Sequence, residues 1–498
     1  MKNFIFFLVL TGILFSQDFQ TPLEKSGFTE VATYRKLESY VKSLNKKTKY
    51  IEVDSVAQTV AEKTIYFVRI SKKGFEKEKN KVTILIAAQQ SGDEQGAKEG
   101  TLLFLKKFAT HELDSLLEKV SIILVPQVNP DGSEINNRLN SNKIDISRDH
   151  LLLSQHESHA LHRLFFTYYP EAALDVAEYY PYTKNWENYG YFRAPEIQYG
   201  TVTNINMMEE LKALSENGFL PYAKEYFGDR KIYYDDYLIG GPPGRGRLRR
   251  NSGDINELIQ NFGVMNTFAI LQKGINGKEF FIENIERRAK VQEEGIEAFV
   301  KFCYLNAEYI LTVVNYGRGS LKDLKKTGKV AIRMEHFEGE DTSFAMRVTT
   351  VKGNRDTILS VKGYYPVMKP VLEIDKPYGY IVSQNDNDIV DALNKHGILF
   401  SEYKYMKGDI IQKYKLTGLD SVKIEEQPLL SPTFEIVEDK KLDKPEEYYL
   451  IKLNQIQTNL ITLALEPRSQ YGFLTYLDLR TVEPFEFFNV KRLIRKAK

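Results

Sequence analysis

Three loops in the first part of the sequence hold polar and charged side chains in positions suited to binding or chemistry. They are residues 89–96, 129–148 and 177–182. Each loop follows or begins within a short apolar run, and such a run predicts a strand buried on both faces. In sheets built from such strands, ligands bind beyond the carboxyl ends, in the loops that follow. We therefore expect these three loops to meet at one site.

The elements that position these loops alternate between strands and helices. The pattern predicts strands over residues 64–70, 81–88, 120–125 and 172–176, with helices over 34–44 and 96–108. A Ser154–Glu157 capping box predicts a further helix that stops at Pro170. This alternation predicts the α/β class: a mixed, mostly parallel central sheet flanked by helices.

The domain organisation is predicted from changes in the secondary-structure pattern along the chain. A helix-rich stretch over residues 284–311 closes the first domain, and short alternating strands follow from Lys329. We therefore expect a signal peptide over residues 1–16, an α/β domain over 17–312 and a smaller β-rich region over 313–498. The basic tail, residues 491–498, is interpreted as a solvated end.

Composition excludes several classes of function. Lys and Arg number 68 against 67 Asp and Glu, so a net charge of +1 gives no electrostatic reason to expect nucleic acid or an anionic membrane as partner. Cys303 is the only cysteine, which excludes an intrachain disulfide, a cysteine zinc finger and an iron–sulfur cluster. It lies in a helical pattern and is expected to be buried and inert.

The N-terminus predicts export. Lys2 precedes an apolar run over residues 4–15, which Ser16 and Gln17 close. This run is too short to span a bilayer as a mature helix but has the length and order of a secretory signal. We expect a secreted or periplasmic protein with no stable membrane span after cleavage.

Five short motifs occur in order, each at a predicted strand end or in the loop after it. They are residues 90–96 (QSGDEQG), 129–132 (NPDG), 145–150 (DISRDH), 174–179 (LDVAEY) and 263–272 (GVMNTFAILQ), with Arg138 after the second. An Asn-Pro-Asp-Gly turn alone would be unspecific. Together, the motifs resemble those of zinc carboxypeptidases of the carboxypeptidase A type, and residues 463–469 resemble a tail found on bacterial members.

The resemblance implies a zinc site that this chain has lost. In the family, two histidines and a glutamate hold zinc, and another glutamate is the catalytic base. Ser91 and Ala177 stand at the histidine positions, Glu94 is kept, and Gln272 aligns with the catalytic position. A single carboxylate is a poor zinc site, and an amide cannot accept a proton from water. The sequence therefore predicts a pseudopeptidase with no cofactor and no catalytic residue.

The resemblance also implies a site for a carboxylate. Arg138 matches the family's carbonyl-polarising arginine, Arg148 matches the arginine that binds the substrate carboxylate, and Ser147 replaces the asparagine beside it. A guanidinium fork suits a carboxylate, so the predicted partners are peptide or cell-wall peptide termini. In an equally open interpretation, both arginines pair with neighbouring acids and only hold loops together. Those acids are Asp93, Glu94, Asp131 and Asp145.

Two other functions stay open on the sequence. One is an active zinc metallocarboxypeptidase with an unusual ligand set around Glu94, which would have zinc as its cofactor. The other is a structural or assembly module in which the β-rich region makes the contacts. His156, His159 and His162 recur every three residues and could hold a surface metal, but an exposed helix face is the favoured interpretation.

Overall fold

The structure is a computed structural model that describes residues 19–495 except 73, 76–79, 278–281, 324–327, 340–342, 425–426 and 477–486. The predicted signal peptide lies outside the described residues. The strands of the first half are β1 Ile51–Gln58, β2 Thr64–Ile70, β3 Val82–Ala88, β4 Val120–Val125, β5 Ala172–Tyr179, β6 Tyr191–Arg193, β7 Ile197–Thr201, β8 Tyr234–Asp236, β9 Leu248–Arg249 and β10 Phe268–Ile275.

The helices of this half are α1 Pro22–Lys25, α2 Tyr34–Lys47, α3 Gln95–Ala109, α4 Pro130–Glu134, α5 His156–Tyr168, α6 Lys184–Tyr189, α7 Glu209–Ala213, α8 Leu220–Asp229, α9 Leu258–Gly263, α10 Ile285–Leu305 and α11 Ala307–Leu321. A π-helical segment, Leu214–Phe219, joins α7 to α8, and single 3-10 turns lie at Asp114–Glu118 and Ile146–Arg148.

The second half is mostly strand. Its strands are β11 Lys329–Phe337, β12 Ser343–Thr350, β13 Asp356–Lys362, β14 Tyr364–Tyr365, β15 Val367–Asp375, β16 Gly379–Ser383, β17 Ser401–Glu402, β18 Ile410–Ile424, β19 Gln427–Asp439, β20 Tyr448–Lys452 and β21 Lys491–Ile494. Its helices are α12 Asn387–Lys395, α13 Thr458–Leu465 and α14 Phe473–Tyr476, with a 3-10 turn at Pro445–Glu447.

The central sheet confirms the predicted α/β class. Its strand order is β1-β2-β4-β3-β5-β10-β7-β8, and the inner strands β4, β3, β5 and β10 are all parallel. Every residue of β3, β4 and β5 is buried, because helices and loops cover the sheet. The apolar runs in the sequence reflect this double burial. The loops after these parallel strands therefore emerge at one edge.

The pairing of β5 with β10 determines which side chains share a face at that edge. Leu271 is paired with Asp175, Gln272 with Val176, and Lys273 with Ala177. Because paired residues of adjacent strands point to the same side of a sheet, Lys273 and Ala177 share one face and Gln272 lies on the other.

Gly92 lets the loop after β3 approach the loop after β4. A Cβ at this position would lie 2.1 Å from the backbone carbon of Gly132 and 2.4 Å from the carbonyl oxygen of Asn137. The Gly92 amide donates a hydrogen bond of 3.2 Å to the carbonyl of Arg138. Only glycine fits this contact, which holds the Ser91–Glu94 loop against the loop that carries the arginines.

The C-terminal region is β-rich, as predicted. Six strands form an antiparallel sheet in the order β17-β20-β16-β21-β18-β19. Other strands reach into the first half: β12 pairs with β6, and β14 pairs with β9. Among the described residues, no helix is both long and apolar enough to cross a membrane.

The basic tail was predicted as a solvated end, and that prediction is wrong for residues 491–494. They form β21, an inner strand of the six-stranded sheet. Arg492 is buried and donates hydrogen bonds of 2.6 Å to both carboxylate oxygens of Glu466. The charge of Arg492, which suggested that the tail is exposed, is therefore compensated by the buried carboxylate of Glu466.

The capping box predicted at Ser154 and Glu157 is not formed. Gln155 is the N-cap of α5 and makes no side-chain capping bond. The Ser154 hydroxyl instead donates to Asp149 at 2.7 Å, and Glu157 accepts a hydrogen bond of 3.3 Å from Asn140. Tertiary partners thus replace the local motif.

Candidate functional site

A cleft of about 330 Å³ opens at the edge where the parallel strands end. Arg138, Ser147 and Arg148 line it together with Lys273 and Glu257. All three side chains predicted to bind the substrate therefore line one cavity. Tyr179, Tyr180 and Tyr237 give it partly aromatic walls.

Arg138 is held on one side of the cleft by an acid from its own loop. Its Nε and Nη2 donate to Asp145 at 2.9 and 2.8 Å, and Nη2 lies 3.3 Å from the Ser147 hydroxyl. The Arg138 side chain is 48% exposed. In one interpretation of the sequence, the arginines pair with neighbouring acids and only hold loops together. The pair with Asp145 is one of the ion pairs named in that interpretation.

Arg148 is paired with acids from another segment. Its Nη1 lies 2.7 Å from Glu257 and 3.6 Å from Asp254. Burial raises the pKa of Glu257 to about 7, although Arg148 opposes that rise. Among the described residues, Nε and Nη2 of Arg148 have no hydrogen-bond partner, and the side chain is 51% exposed. One edge of the guanidinium fork is therefore available to a ligand.

Glu94 is buried beside the cleft and faces a lysine. Its Oε1 lies 3.4 Å from Nζ of Lys273, while Oε2 has no hydrogen-bond partner in the described part of the chain. Burial raises the pKa of Glu94 to about 7, and the Lys273 ammonium limits that rise. The pKa of Lys273 lies above its usual value, because Glu94, Tyr237 and Asp175 outweigh the effect of burial.

Ser91 and Ala177 complete the set of family zinc positions, and both are buried. The Glu94 amide donates to the carbonyl of Ser91 at 3.1 Å, so the two lie in one tight turn. Ala177 lies on the same face of the sheet as Lys273. Lys273 therefore contacts Glu94 and is paired in register with Ala177, while Ser91 lies in the same turn as Glu94.

Gln272 does not line the cleft. Its amide nitrogen donates to the carbonyl of Gln292 at 2.9 Å and to the side-chain oxygen of Gln292 at 2.6 Å, so it points toward α10. The side chains of β10 that line the cleft are Leu271 and Lys273. The residue aligned with the catalytic glutamate is therefore turned away, and neither cleft-lining residue of this strand carries a carboxylate.

The donor set around Glu94 does not fit catalytic zinc. Such a site takes three protein ligands, typically imidazoles and a carboxylate. Here a hydroxyl and a methyl stand at the histidine positions, and a protonated lysine sits beside the one carboxylate. Among the described residues, no group of three His, Cys, Asp or Glu side chains is arranged to hold a metal ion.

The histidines on α5 do not share an exposed face as expected. His156 is exposed, but His162 is fully buried against Phe262 and the ring of His396. His150 Nδ1 lies 3.3 Å from Nε2 of His162, and its Nε2 lies 2.7 Å from Oε1 of Gln90. This buried group supports the loop that carries Ser91.

Sequence reasoning missed Lys273 and Glu257. Lys273 directly follows the residue aligned with the catalytic glutamate, so the pattern of alternate faces along β10 was the signal that could have found it. Using that signal requires the register between β5 and β10, which the structure supplies. Glu257 lies in a loop with no motif, and only its 2.7 Å contact with Arg148 reveals it.

Comparison with known proteins shows which part of this chain is similar to zinc carboxypeptidases. Residues 37–200 match the family model for zinc carboxypeptidase. Carboxypeptidase 2 of Trichophyton rubrum is 22% identical over 421 residues, covering 82% of this chain and 77% of that protein. Carboxypeptidase 2 of Trichophyton equinum is 21% identical over 436 residues, covering 85% of this chain and 80% of that protein.

A solved metallo-carboxypeptidase from Burkholderia cenocepacia also matches, at a TM-score of 0.44 and 13% identity, over 56% of this chain and 71% of that one.

Proposed function

Because this chain carries a region of the zinc carboxypeptidase family over residues 37–200, we propose that it is an exported protein that binds peptide C-termini without hydrolysing them. Cell-wall peptide termini are included in this class. The observation that carries the proposal is one cleft lined by Arg138, Ser147 and Arg148, next to zinc positions that offer a single carboxylate.

Arg148 is the expected anchor for the ligand carboxylate. Its Nε and Nη2 edge has no partner among the described residues, and a guanidinium fork binds a carboxylate through two parallel hydrogen bonds. Glu257 competes for Nη1 of the same side chain. Since the pKa of Glu257 is raised to about 7 by burial, its competition weakens as the pH falls below that value.

Hydrolysis is not expected, because the attacking water lacks activation. Water bound to catalytic zinc has a pKa near ~7, against ~15.7 in bulk. The side chains around Glu94 do not supply the imidazoles that would hold such a metal. Leu271 and Lys273, which line the cleft from β10, cannot act as a carboxylate base.

The test compares one labelled peptide as a free acid and as a C-terminal amide. We expect the free acid to bind at least about 10-fold more tightly, the ratio that corresponds to roughly 1.4 kcal/mol. Arg148→Met should abolish this preference. Arg287→Met is the matched control, because Arg287 is also paired with an acid and is 52% exposed but does not line the cleft. Equal binding of acid and amide would refute the proposal.

Two further measurements address the other functions. The matched relatives are named as carboxypeptidases, so the purified protein should be assayed for metal content and for chelator-sensitive peptide cleavage. Stoichiometric zinc together with cleavage would establish the active alternative. Retention of the biological role after Arg138→Ala and Arg148→Ala would favour a structural module.

A further inference from the structure

Lys273 contacts the kept zinc position, Glu94, and is the strand neighbour of one of the two lost positions, Ala177. Its Nζ lies 3.4 Å from Oε1 of Glu94, and its strand neighbour in register is Ala177. The only other acceptor that it contacts among the described residues is the carbonyl of Glu178, at 3.3 Å. The side chain is 15% exposed and lines the cleft.

The charges around Lys273 resemble those of a metal site in which an ammonium stands in place of the ion. Buried carboxylates such as Glu94 and Asp175 need a compensating positive charge, because an unpaired charge is costly away from water. In a zinc enzyme the ion supplies that charge. In this chain the ammonium of Lys273 is the cation nearest to Glu94 among the described residues.

We propose that Lys273 takes the place of the metal ion: its ammonium compensates Glu94, excludes divalent cations and binds a ligand oxygen in the cleft. The first two roles are argued from the position of Lys273 beside Glu94. A divalent ion bound to Glu94 would lie within a few ångströms of the ammonium, and two cations at such a distance repel strongly in a buried site.

The ligand-binding role rests on the proposed function. An ammonium has three donors, and two of them reach Glu94 and the Glu178 carbonyl over long distances of 3.4 and 3.3 Å. The third can bind an oxygen of a ligand whose carboxylate is held by Arg148. The carbonyl oxygen of the last peptide bond is the ligand atom suited to it, since it carries partial negative charge next to the terminal carboxylate.

The first arm of the test restores the lost ligands. Ser91→His with Ala177→His is compared with the same pair plus Lys273→Met, each titrated with zinc chloride by calorimetry after thermal melting confirms folding. We expect the triple variant to bind zinc at least 100-fold more tightly than the double variant. Equal affinity would overturn the claim that Lys273 excludes the ion.

The second arm needs only Lys273→Met and does not depend on buried histidines folding well. We expect its affinity for the labelled peptide to fall about 10-fold for acid and amide alike, with the acid preference kept. Lys290→Met is the control, because Lys290 is exposed and paired with Glu286 outside the cleft. Unchanged affinity in Lys273→Met would overturn the ligand-binding role.

The two arms also separate this inference from the proposed function. If the unaltered protein shows no preference for a free carboxylate, the proposed function fails, and the zinc titration still decides whether Lys273 replaces the ion. If the preference holds, Lys273→Met leaves peptide affinity unchanged and the double and triple variants bind zinc equally, only the inference about Lys273 fails.

Discussion

The hydroxyl of Tyr476 donates a hydrogen bond of 2.6 Å to Oδ2 of Asp254. Tyr476 belongs to the C-terminal region, whereas Asp254 is buried in the first half and lies 3.6 Å from Arg148. The C-terminal region is thus linked to Arg148 through one buried acid. We expect this contact to help position the cleft.

Tyr476→Phe should therefore weaken both stability and binding. Loss of a hydrogen bond to a charged group is expected to cost about 1.5–3 kcal/mol in the free energy of unfolding. Peptide affinity should fall several-fold, because Asp254 loses its donor and competes more strongly for Arg148. Urea unfolding and peptide titration measure the two effects.

Tyr309→Phe serves as the control for this variant, since Tyr309 is 48% exposed. It should leave both quantities unchanged. If Tyr476→Phe reduces stability but not affinity, Tyr476 holds the two regions together without positioning the cleft.

Burial of three histidines predicts acid sensitivity. Burial lowers the pKa of His150 to about 3 and that of His396 to about 4, and it also lowers the pKa of His162. An unfolded histidine titrates near ~6.5, so the unfolded chain binds more protons below that pH. The stability from neutral burial is complete above about pH 6.5 and is lost as the pH falls toward the folded values.

His150→Asn isolates this contribution, because Glu94 and Glu257 have raised pKa values of about 7 and give an opposite pH dependence between about 4.5 and 7. Relative to the variant, the unaltered protein should lose about 2 kcal/mol of unfolding free energy between pH 7 and pH 5. Urea unfolding at several pH values measures the difference. A difference that does not change with pH would contradict the buried, neutral state of His150.

The sequence predicted what depends on local composition and missed what depends on pairing. Runs of apolar residues identified β3, β4 and β5 because burial on both faces leaves a continuous pattern. Apolar runs do not show on which face of the sheet Gln272 lies. A shift of one residue in strand alternation exchanges the faces, and only pairing with β5 shows that Lys273 faces the cleft.

Burial of polar side chains was the other source of error. Arg492 and His162 are polar types that sequence reasoning places in solvent. Each is buried against a residue distant in sequence, Glu466 for Arg492 and His396 for His162. No periodicity in the sequence encodes such a partner.

The ion pair between Glu178 and Arg288 is expected to stabilise the fold at the edge of the cleft. Arg288 donates to both carboxylate oxygens of Glu178 at 2.8 Å, and the Gly96 amide donates to the same group at 3.0 Å. Both side chains are almost fully buried. Glu178→Gln should lower the free energy of unfolding by roughly 3–5 kcal/mol, because it leaves a buried guanidinium uncompensated.

A double variant separates charge from packing at this pair. Glu178→Gln combined with Arg288→Met should recover part of the lost stability, since it removes the uncompensated charge. Chemical unfolding of the unaltered protein, Glu178→Gln, Arg288→Met and the double variant measures the coupling. Additive losses would show that the two residues contribute independently.

Gly92→Ala tests whether the approach of the two loops builds the site. The added Cβ would lie 2.1 Å from the Gly132 backbone, so the loops must separate. We expect a loss of about 1–3 kcal/mol in unfolding free energy, as for other overpacked sites, and a marked loss of peptide affinity because the Arg138 loop moves. Gly228→Ala is the matched control: its Cβ would meet nothing within 4 Å, and alanine in α8 should stabilise the helix slightly. If Gly92→Ala binds peptide like the unaltered protein, the arginines do not depend on this contact for their position.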